Sequence, residues 1–519
     1  MTSQLEEQLH HLRSKATELL FKEDWPQYIN LYTHFISLCT QNPPNLYKPL
    51  PLAFSNRAEA HYKLKNLSSA LEDCNQALEI DPSHLKSLIC KGKILLDLNR
   101  YSQACDCFQR ALSVNKSEEV VGLLDRCKKL DGQSRTGQIN VSDWLVNGFD
   151  GKSPELAEFI GPVEIKRSDN GRRGLFATKG IEAGTVLTIT KAVVLGRGIL
   201  PESDNGSGNN ARMVMWKDFV DRILNVTEKC SRTLYLLYLL STGDESDEEA
   251  FRIPDMGLFK PEAEDDRFVL ENKEPDVDRI LKILDVNCLN EEAESSKVFG
   301  KKTNGSCSVG LWVLPSFVNH SCNPNVRRLH IGDYLVLHAS RDIKTGEEIT
   351  MGYFDILQPV NKRRELSKKW GFQCKCERCR FEEKVETEIL GNGYESEDTV
   401  MRLEEEMKKK MMRKKERGYL RASYWGDYMN VYESEKSMRL GRRIPAIVVV
   451  AEGVAEAVGG DERVLRAAVG GSKRNGGGGG NKWVEIERLM KMGRGVYGRV
   501  VKKQGMRALF EWLNWRAEV

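Results

Sequence analysis

The ten residues "FVNHSCNPNV", Phe317–Val326, decide how the rest of the chain is read. They follow an apolar run, "VGLWVLPSF" (Val309–Phe317), yet carry a histidine, a cysteine and three asparagines. Polar groups placed where a core continues need partners, because burying them unpaired is costly. At this point Cys322 is open to three readings: a metal ligand, a nucleophile or a buried thiol. Downstream come "TGEEITMGYFD" (Thr345–Asp355) and "WGFQCKCERC" (Trp370–Cys379). Cys374, Cys376 and Cys379 form C-x-C-x2-C, a spacing that suits zinc, but a structural zinc site takes four sulfur or nitrogen ligands. The cluster is one ligand short, and Cys322 is the obvious candidate for the fourth. No C-x-x-C pair sits in a context that suggests a redox relay.

Glycine-punctuated β-rich runs, "VEIKRSDNGRRGLFATKGIEAGTVLTITKAVVLG", begin at Val163, and β character returns over 309–349. Between them, 211–240 reads as helix, 201–210 as a flexible loop, and the acidic stretches at 243–251 and 261–278 as solvated surface. After Cys379 the chain is charged and mostly helical, broken by a glycine-rich loop at 470–482.

The first 130 residues are helical by periodicity and contain a repeat. Ala70 aligns with Ala104, Ala77 with Ala111, Leu78 with Leu112 and Ile80 with Val114, each at an offset of 34 residues. That period, with small residues where helices cross, resembles the tetratricopeptide repeat. "ATELLFKEDWPQYINLYTHFISL", from Ala16, reads as a divergent first copy. Three such hairpins make a minimal superhelix with a concave, peptide-binding face. Of the five-position carboxylate clamp used by chaperone-binding members, Asn56 and Lys86 match. Arg13 and Thr17 replace two further positions, and Cys90 stands where arginine is expected. Peptide binding in general is expected; chaperone-tail binding is discounted.

At 519 residues the chain is long enough for two to four domains. A net charge of +3 gives no global bias toward nucleic acid. The basic run Met407–Arg417 lacks the aromatic interleaving of a nucleic-acid module, so nucleic-acid binding is not indicated. There is no basic, apolar leader and no run of about 18 apolar residues, so no membrane association is expected. Thirteen cysteines without a signal segment point to a reducing, intracellular location, in the nucleus, the cytoplasm or both.

Four motifs in order resemble the SET-domain protein lysine methyltransferases: "GRRGLFATKGIEAGTVL" (Gly171–Leu187), "FVNHSCNPNV", "GEEITMGYFD" and "CKCERC". The resemblance covers roughly 160–380. The long insert makes the domain split, similar to the SET-and-MYND group, as does "VNC" (Val286–Cys288), but without a Cys/His-rich finger in the gap. Repeats ahead of a SET domain look most like repeat-plus-SET proteins of plants.

The resemblance implies a multidomain α+β chain. An α-helical tetratricopeptide superhelix spans 1–130 and a linker 131–159. A mainly-β SET domain spans 160–355, with a helical insert at about 200–305, and a zinc-binding post-SET segment spans 356–382. A mostly helical region, 383–519, would close the substrate cleft. It implies S-adenosylmethionine on Arg173, Gly174, Leu175, Asn287, Asn319, His320, Tyr353 and Phe372, with Trp370 near. Zn2+ would sit on Cys322, Cys374, Cys376 and Cys379.

Tyr353 is the expected catalytic residue. Methyl transfer to an amine is in-line displacement, so catalysis is orientation plus a neutral nucleophile. A free lysine is neutral only on the order of once in 10³ at pH 7. Glu347 and Glu348 are expected to make structural hydrogen bonds. The function implied is methylation of a histone or non-histone lysine, with a protein partner on the repeats. The alternative is a non-catalytic adaptor on a SET scaffold.

Overall fold

The computed structural model describes residues 2–41, 48–143, 154–169, 171–199, 209–244, 252–261, 274–290, 307–389, 396–434, 443–474 and 482–516. The acidic stretches, the 201–210 loop and the glycine-rich loop fall largely outside these residues. Two compact units divide at Arg135/Thr136.

The first unit is seven helices among the described residues: α1 (Thr2–Phe21), α2 (Trp25–Thr40), α3 (Leu50–Lys63), α4 (Leu67–Ile80), α5 (Leu85–Asp97), α6 (Tyr101–Val114) and α7 (Glu118–Thr136). Ala70, Ala77, Ala104 and Ala111, the aligned small positions, are all fully buried. Each hairpin turns on a left-handed residue: Glu23 (φ 52°), Lys65 (φ 61°) and Asn99 (φ 59°). The next N–H reaches back five residues, from Asp24 to the Leu19 carbonyl, Asn66 to His61 and Arg100 to Leu95. This is the Schellman closure. The pair α1–α2 therefore shares the turn of the two regular repeats, as expected of a divergent copy.

The boundary differs from the sequence expectation. Residues 131–136, read as linker, complete α7. Leu124, Cys127, Leu130 and Gln133 keep a buried helical stripe through them. Asp131 is paired with Arg135 one turn on, and the hydrogens of Gly132 face open space. Packing of the stripe overrides the local turn preference.

The second unit holds three small sheets among the described residues. β1 (Phe159–Ile160), β4 (Val186–Lys191), β10 (Tyr334–Ala339) and β9 (Val326–Ile331) form one. β2 (Val163–Arg167), β3 (Arg173–Ala177), β11 (Glu348–Met351) and β8 (Asn319–His320) form the second. β5 (Val194–Ile199), β7 (Cys307–Leu311) and β6 (Leu289–Asn290) form the third. The insert contributes α8 (Asn209–Lys229), α9 (Ser231–Tyr238) and α10 (Val277–Asn287), whose Phe219, Ile223, Leu237 and Ile283 are fully buried against the strands. The insert returns through β6, so it is stitched into the sheet it interrupts.

Beyond β11 the chain is helical: α11 (Val360–Lys369), α12 (Glu377–Ile389), α13 (Ser396–Lys409), α14 (Lys414–Ser423), α15 (Trp425–Glu433), α16 (Ile447–Val458), α17 (Glu462–Arg474), α18 (Lys482–Tyr497) and α19 (Lys503–Arg516). These helices share a core with Val186, Ile189, Leu329 and Val336 of the first sheet. Gly498 (φ 66°) lies where a Cβ would come within 2.9 Å of the His338 ring, so the chain passes close to β10 there. The His338 ring bonds the Val496 carbonyl at 3.1 Å.

Candidate functional site

The stretch Phe317–Val326 forms a 3-10 turn (Leu314–Phe317), then the two-residue strand β8. β8 runs parallel to β11, pairing Asn319 with Thr350 and His320 with Met351. Two distant motifs are thereby held side by side. β11 also pairs antiparallel with β3, Ile349 opposite Leu175, so the Gly171–Gly174 motif joins them.

Gly171 (φ 80°) turns the β2–β3 hairpin in a conformation that suits glycine. Gly174 lies within β3, where a Cβ would stand 2.4 Å from Glu348 Oε1 and 3.0 Å from Asn319 Nδ2. Asn319 Nδ2 donates to Glu348 Oε1 (2.7 Å) and to the Arg173 carbonyl (3.0 Å). The Ser168 hydroxyl donates to the other Glu348 oxygen at 2.8 Å. Both amide hydrogens of Asn319 are committed, which leaves its Oδ1 as an acceptor. The Arg173 guanidinium lies 4.9 Å over the Phe317 ring and donates to the Arg252 carbonyl. Leu175 is fully buried.

His320 Nδ1 accepts the Tyr353 backbone N–H at 3.0 Å, so the ring proton sits on Nε2, 3.3 Å from Cys322 Sγ. Burial pushes the imidazole down to about 3, in keeping with this neutral tautomer. The Tyr353 hydroxyl donates to the Val318 carbonyl at 2.8 Å, and burial pushes the phenol up, so it stays protonated. Aromatic rings surround the pair. Tyr353 is 5.0 Å from Trp370 and 6.1 Å from Phe372, while His320 stacks on Phe354 at 4.3 Å. Phe372 also lines an open cleft of about 650 Å³ with Arg364, Lys368, Gly371 and Gln373.

Cys322, Cys374, Cys376 and Cys379 bring their sulfurs within 4.8 Å of one another. The cluster could hold a metal ion. Hydrogen bonding from Cys322 drives Cys376 well below the ordinary thiol range and drives Cys379 up, while Cys374 drives up Cys322. Thiols this close cannot all ionise without a cation between them.

Asn287 is anchored within the insert. At the end of α10 it donates to the Ser241 and Ile283 carbonyls, both at 2.7 Å, and so makes its hydrogen bonds within the insert. Glu347 accepts from Asn325 and from the Lys344 backbone and pairs with Arg341, as Glu348 does with Asn319 and Ser168. Both glutamates are structural hydrogen-bond acceptors, as expected, Glu347 in the turn after Gly346 and Glu348 at the start of β11.

Sequence reasoning missed the buried ions below the thiols. Arg363, Arg378 and Glu382 are 1%, 0% and 2% exposed at their side chains. Arg363 bonds Cys379 Sγ (3.2 Å) and Glu382, and Arg378 bonds Glu382 (2.8 Å) and the Cys322 carbonyl (3.0 Å). It also missed the Asp355–Arg463 pair, joined at 2.7 and 3.0 Å. Arginine at i and glutamate at i+4 of α12 was the one signal available, and such pairs are normally surface features.

Residues 172–354 match the family model of the SET domain, and residues 51–84 and 85–118 match models of the tetratricopeptide repeat. The chain thus carries a SET domain behind tetratricopeptide repeats. Its relatives include a "Methyltransferase" of Gibberella zeae, 25% identical over 389 residues, 71% of this chain and 51% of that protein. Also similar are the "Histone-lysine N-methyltransferase SMYD3" of Homo sapiens, 37% identical over 19% of this chain and 24% of that protein, and the "Potential protein lysine methyltransferase SET6" of Saccharomyces cerevisiae, 40% over 17% and 26%. The chain spans about half the length of the first and about a quarter of the other two. The "Arabidopsis OM64 TPR domain" aligns with 24% of this chain and 96% of its own, at 25% identity and a TM-score of 0.21.

Proposed function

We propose that the protein is an S-adenosylmethionine-dependent protein-lysine N-methyltransferase whose repeats recruit the substrate or a partner protein. The observation that carries this reading is the convergence of three distant segments at β8, β3 and β11. They set the Asn319 acceptor, the neutral His320 and the protonated Tyr353 hydroxyl around one aromatic-walled space.

S-adenosylmethionine, when bound, supplies a methyl group on a sulfonium. Its amino-acid part fits the Asn319 Oδ1, and the missing Cβ of Gly174 lets Glu348 and the Asn319 amide pack against β3 and so hold that acceptor in place. Phe372, on the wall of the cleft, offers a face for the adenine ring. The protonated Tyr353 hydroxyl donates its hydrogen bond to the Val318 carbonyl, which leaves its oxygen lone pairs as acceptors for an incoming amine. Trp370, Phe354 and Phe372 exclude water, which favours the neutral form of a lysine. Asn287 belongs to the cofactor set on sequence grounds alone.

Zn2+ on Cys322, Cys374, Cys376 and Cys379 would tie the segment after β8 to the start of α12, and with it Phe372. The substrate is a histone or non-histone lysine. A chain with this many free thiols and a thiolate cluster suits a reducing compartment, nuclear or cytoplasmic.

The test is transfer of labelled methyl groups from the cofactor to proteins of a cell extract. Tyr353→Phe should lower the rate by about 10²-fold or more while calorimetric cofactor affinity stays within about threefold, the pattern of lost orientation. Full activity in that variant would remove Tyr353 from its role.

A further inference from the structure

Outside the site, the repeat unit holds an arrangement of thiols that the proposed activity does not use. Cys105 on α6 and Cys127 on α7 place their sulfurs 3.0 Å apart, inside the contact distance of two sulfur atoms. Cys127 in turn donates to the Tyr101 carbonyl at 3.0 Å. A similar relation recurs one repeat earlier, where Cys74 on α4 and Cys90 on α5 share one small buried cluster. In both cases a cysteine on the second helix of one hairpin meets a cysteine on the first helix of the next. A simple apolar filler at these positions would give no reason for cysteines to occur in facing pairs. Cys39, fully buried in the first hairpin, has no such partner among the described residues.

We propose that Cys105 and Cys127 form a reversible disulfide that staples α7 to the last full repeat, with a hydroperoxide as oxidant. A disulfide needs its sulfurs about 2.05 Å apart, so closure calls for a shift of about 1 Å. The Cys105 sulfur attacks one peroxide oxygen. The O–O bond breaks, and the leaving oxygen takes up the proton to give an alcohol or water. The Cys127 sulfur then displaces hydroxide from the resulting sulfenic acid. That hydroxide leaves as water with the Cys127 proton, and the S–S bond forms. Two thiols are oxidised and one hydroperoxide is reduced. Cys105 keeps 9% of its surface exposed and Cys127 none, which assigns first attack to Cys105. Burial pushes the Cys127 thiol up, so it waits protonated as the resolving group. Access comes from opening of α7, the terminal helix of this unit, since terminal elements open at low cost.

Cys90 lies one turn beyond Lys86, which is bonded to Asn56 at 2.6 Å. Oxidation of the Cys74–Cys90 pair would alter these groove positions directly, whereas the Cys105–Cys127 bridge acts on the end of the superhelix.

The experiment treats the full zinc-loaded chain with graded hydrogen peroxide, then maps peptides without reduction. A Cys105–Cys127 peptide pair lighter by two hydrogen atoms should accumulate and vanish with dithiothreitol. Cys105→Ala and Cys127→Ala should each abolish it, and Cys39→Ala should not. Zinc release, followed with a chromogenic chelator, reports attack on the Cys322 cluster separately. The wild-type map alone decides the matter if a variant fails to fold. Cys105 and Cys127 both alkylating as free thiols at peroxide levels that oxidise Cys39 would overturn the proposal. A bridge from Cys127 to Cys107 instead would do the same.

Discussion

Glu382→Gln tests the buried ions beneath the thiol cluster. Glu382 is the only carboxylate the described contacts give to Arg363 and Arg378, both of which lie out of water. Arg378 is otherwise held by the neutral Cys322 and Ile356 carbonyls and the Ser423 hydroxyl. Removing one partner of a buried ion pair costs about 3–5 kcal/mol, because the remaining charge stays desolvated. The carbonyls, and thiolates at a metal-loaded cluster, offset part of this, so about 3 kcal/mol is expected. Unfolding entropy is about 2.1 cal/mol/K per residue. Over a unit running from Thr136 to Val519, this gives a fall of about 4 °C in Tm. Scanning calorimetry on zinc-loaded protein measures it, and zinc content should drop in parallel because Arg363 bonds Cys379 Sγ. A Tm within 1 °C of wild type, with full zinc, would show that the carboxylate is not what makes these two arginines tolerable.

Three further outcomes are expected. Gly174→Ala puts a Cβ 2.4 Å from Glu348 Oε1 and displaces Asn319; cofactor affinity by calorimetry should fall about 10- to 100-fold, the worth of a charge-assisted bond, with little loss of Tm. Cys322→Ser should lower bound zinc below one equivalent by atomic absorption, since the other three thiols leave a tetrahedral site open. The Arg463 guanidinium and neighbouring hydrogen bonds hold Asp355 down to about 2 against the cost of burial. A depressed carboxyl contributes stability above its unfolded value of 3.8 that is lost as pH falls toward 2. Allowing for solvent at both half-buried side chains, this is about 1–2 kcal/mol. Arg463→Gln should raise the Asp355 titration midpoint by NMR and flatten the acid limb of the stability curve.

Much of the site was legible because its chemistry needs particular residue types. Glycine at 174, asparagine at 319 and the four cysteines each have no close substitute, so spacing along the chain exposed them. The repeats were legible for a similar reason: Ala70, Ala77, Ala104 and Ala111 are small because helices cross there. What stayed hidden is non-local. Arg363, Arg378 and Glu382 look in sequence like members of any charged helix, and only tertiary packing makes them core residues. The end of α7 was missed because turn formers at 131–136 mask a buried stripe three residues in period. At Asn287 the structure adds what sequence did not show: its amide bonds the Ser241 and Ile283 carbonyls of the insert.

The C-terminal helices bear on function through their polar links to these same motifs. Tyr419 of α14 accepts from Asn323, one residue past Cys322. Ser423 of α14 accepts from Arg378, beside the thiol cluster. Arg463 of α17 clamps Asp355, two residues past Tyr353. Each link reaches a segment that otherwise hangs from the short strand β8, the end of β11 or the cysteine loop. A two-residue strand cannot fix Asn319 and His320 by its own ladder, so the helices supply the missing rigidity. The region read from sequence as a cover for the substrate cleft therefore has a prior task, holding the pieces of the proposed cofactor site in register. Weakening Arg463 should accordingly raise KM for the cofactor before it lowers the rate at saturation. Loss of rate alone would place Arg463 in the chemistry and not in its support.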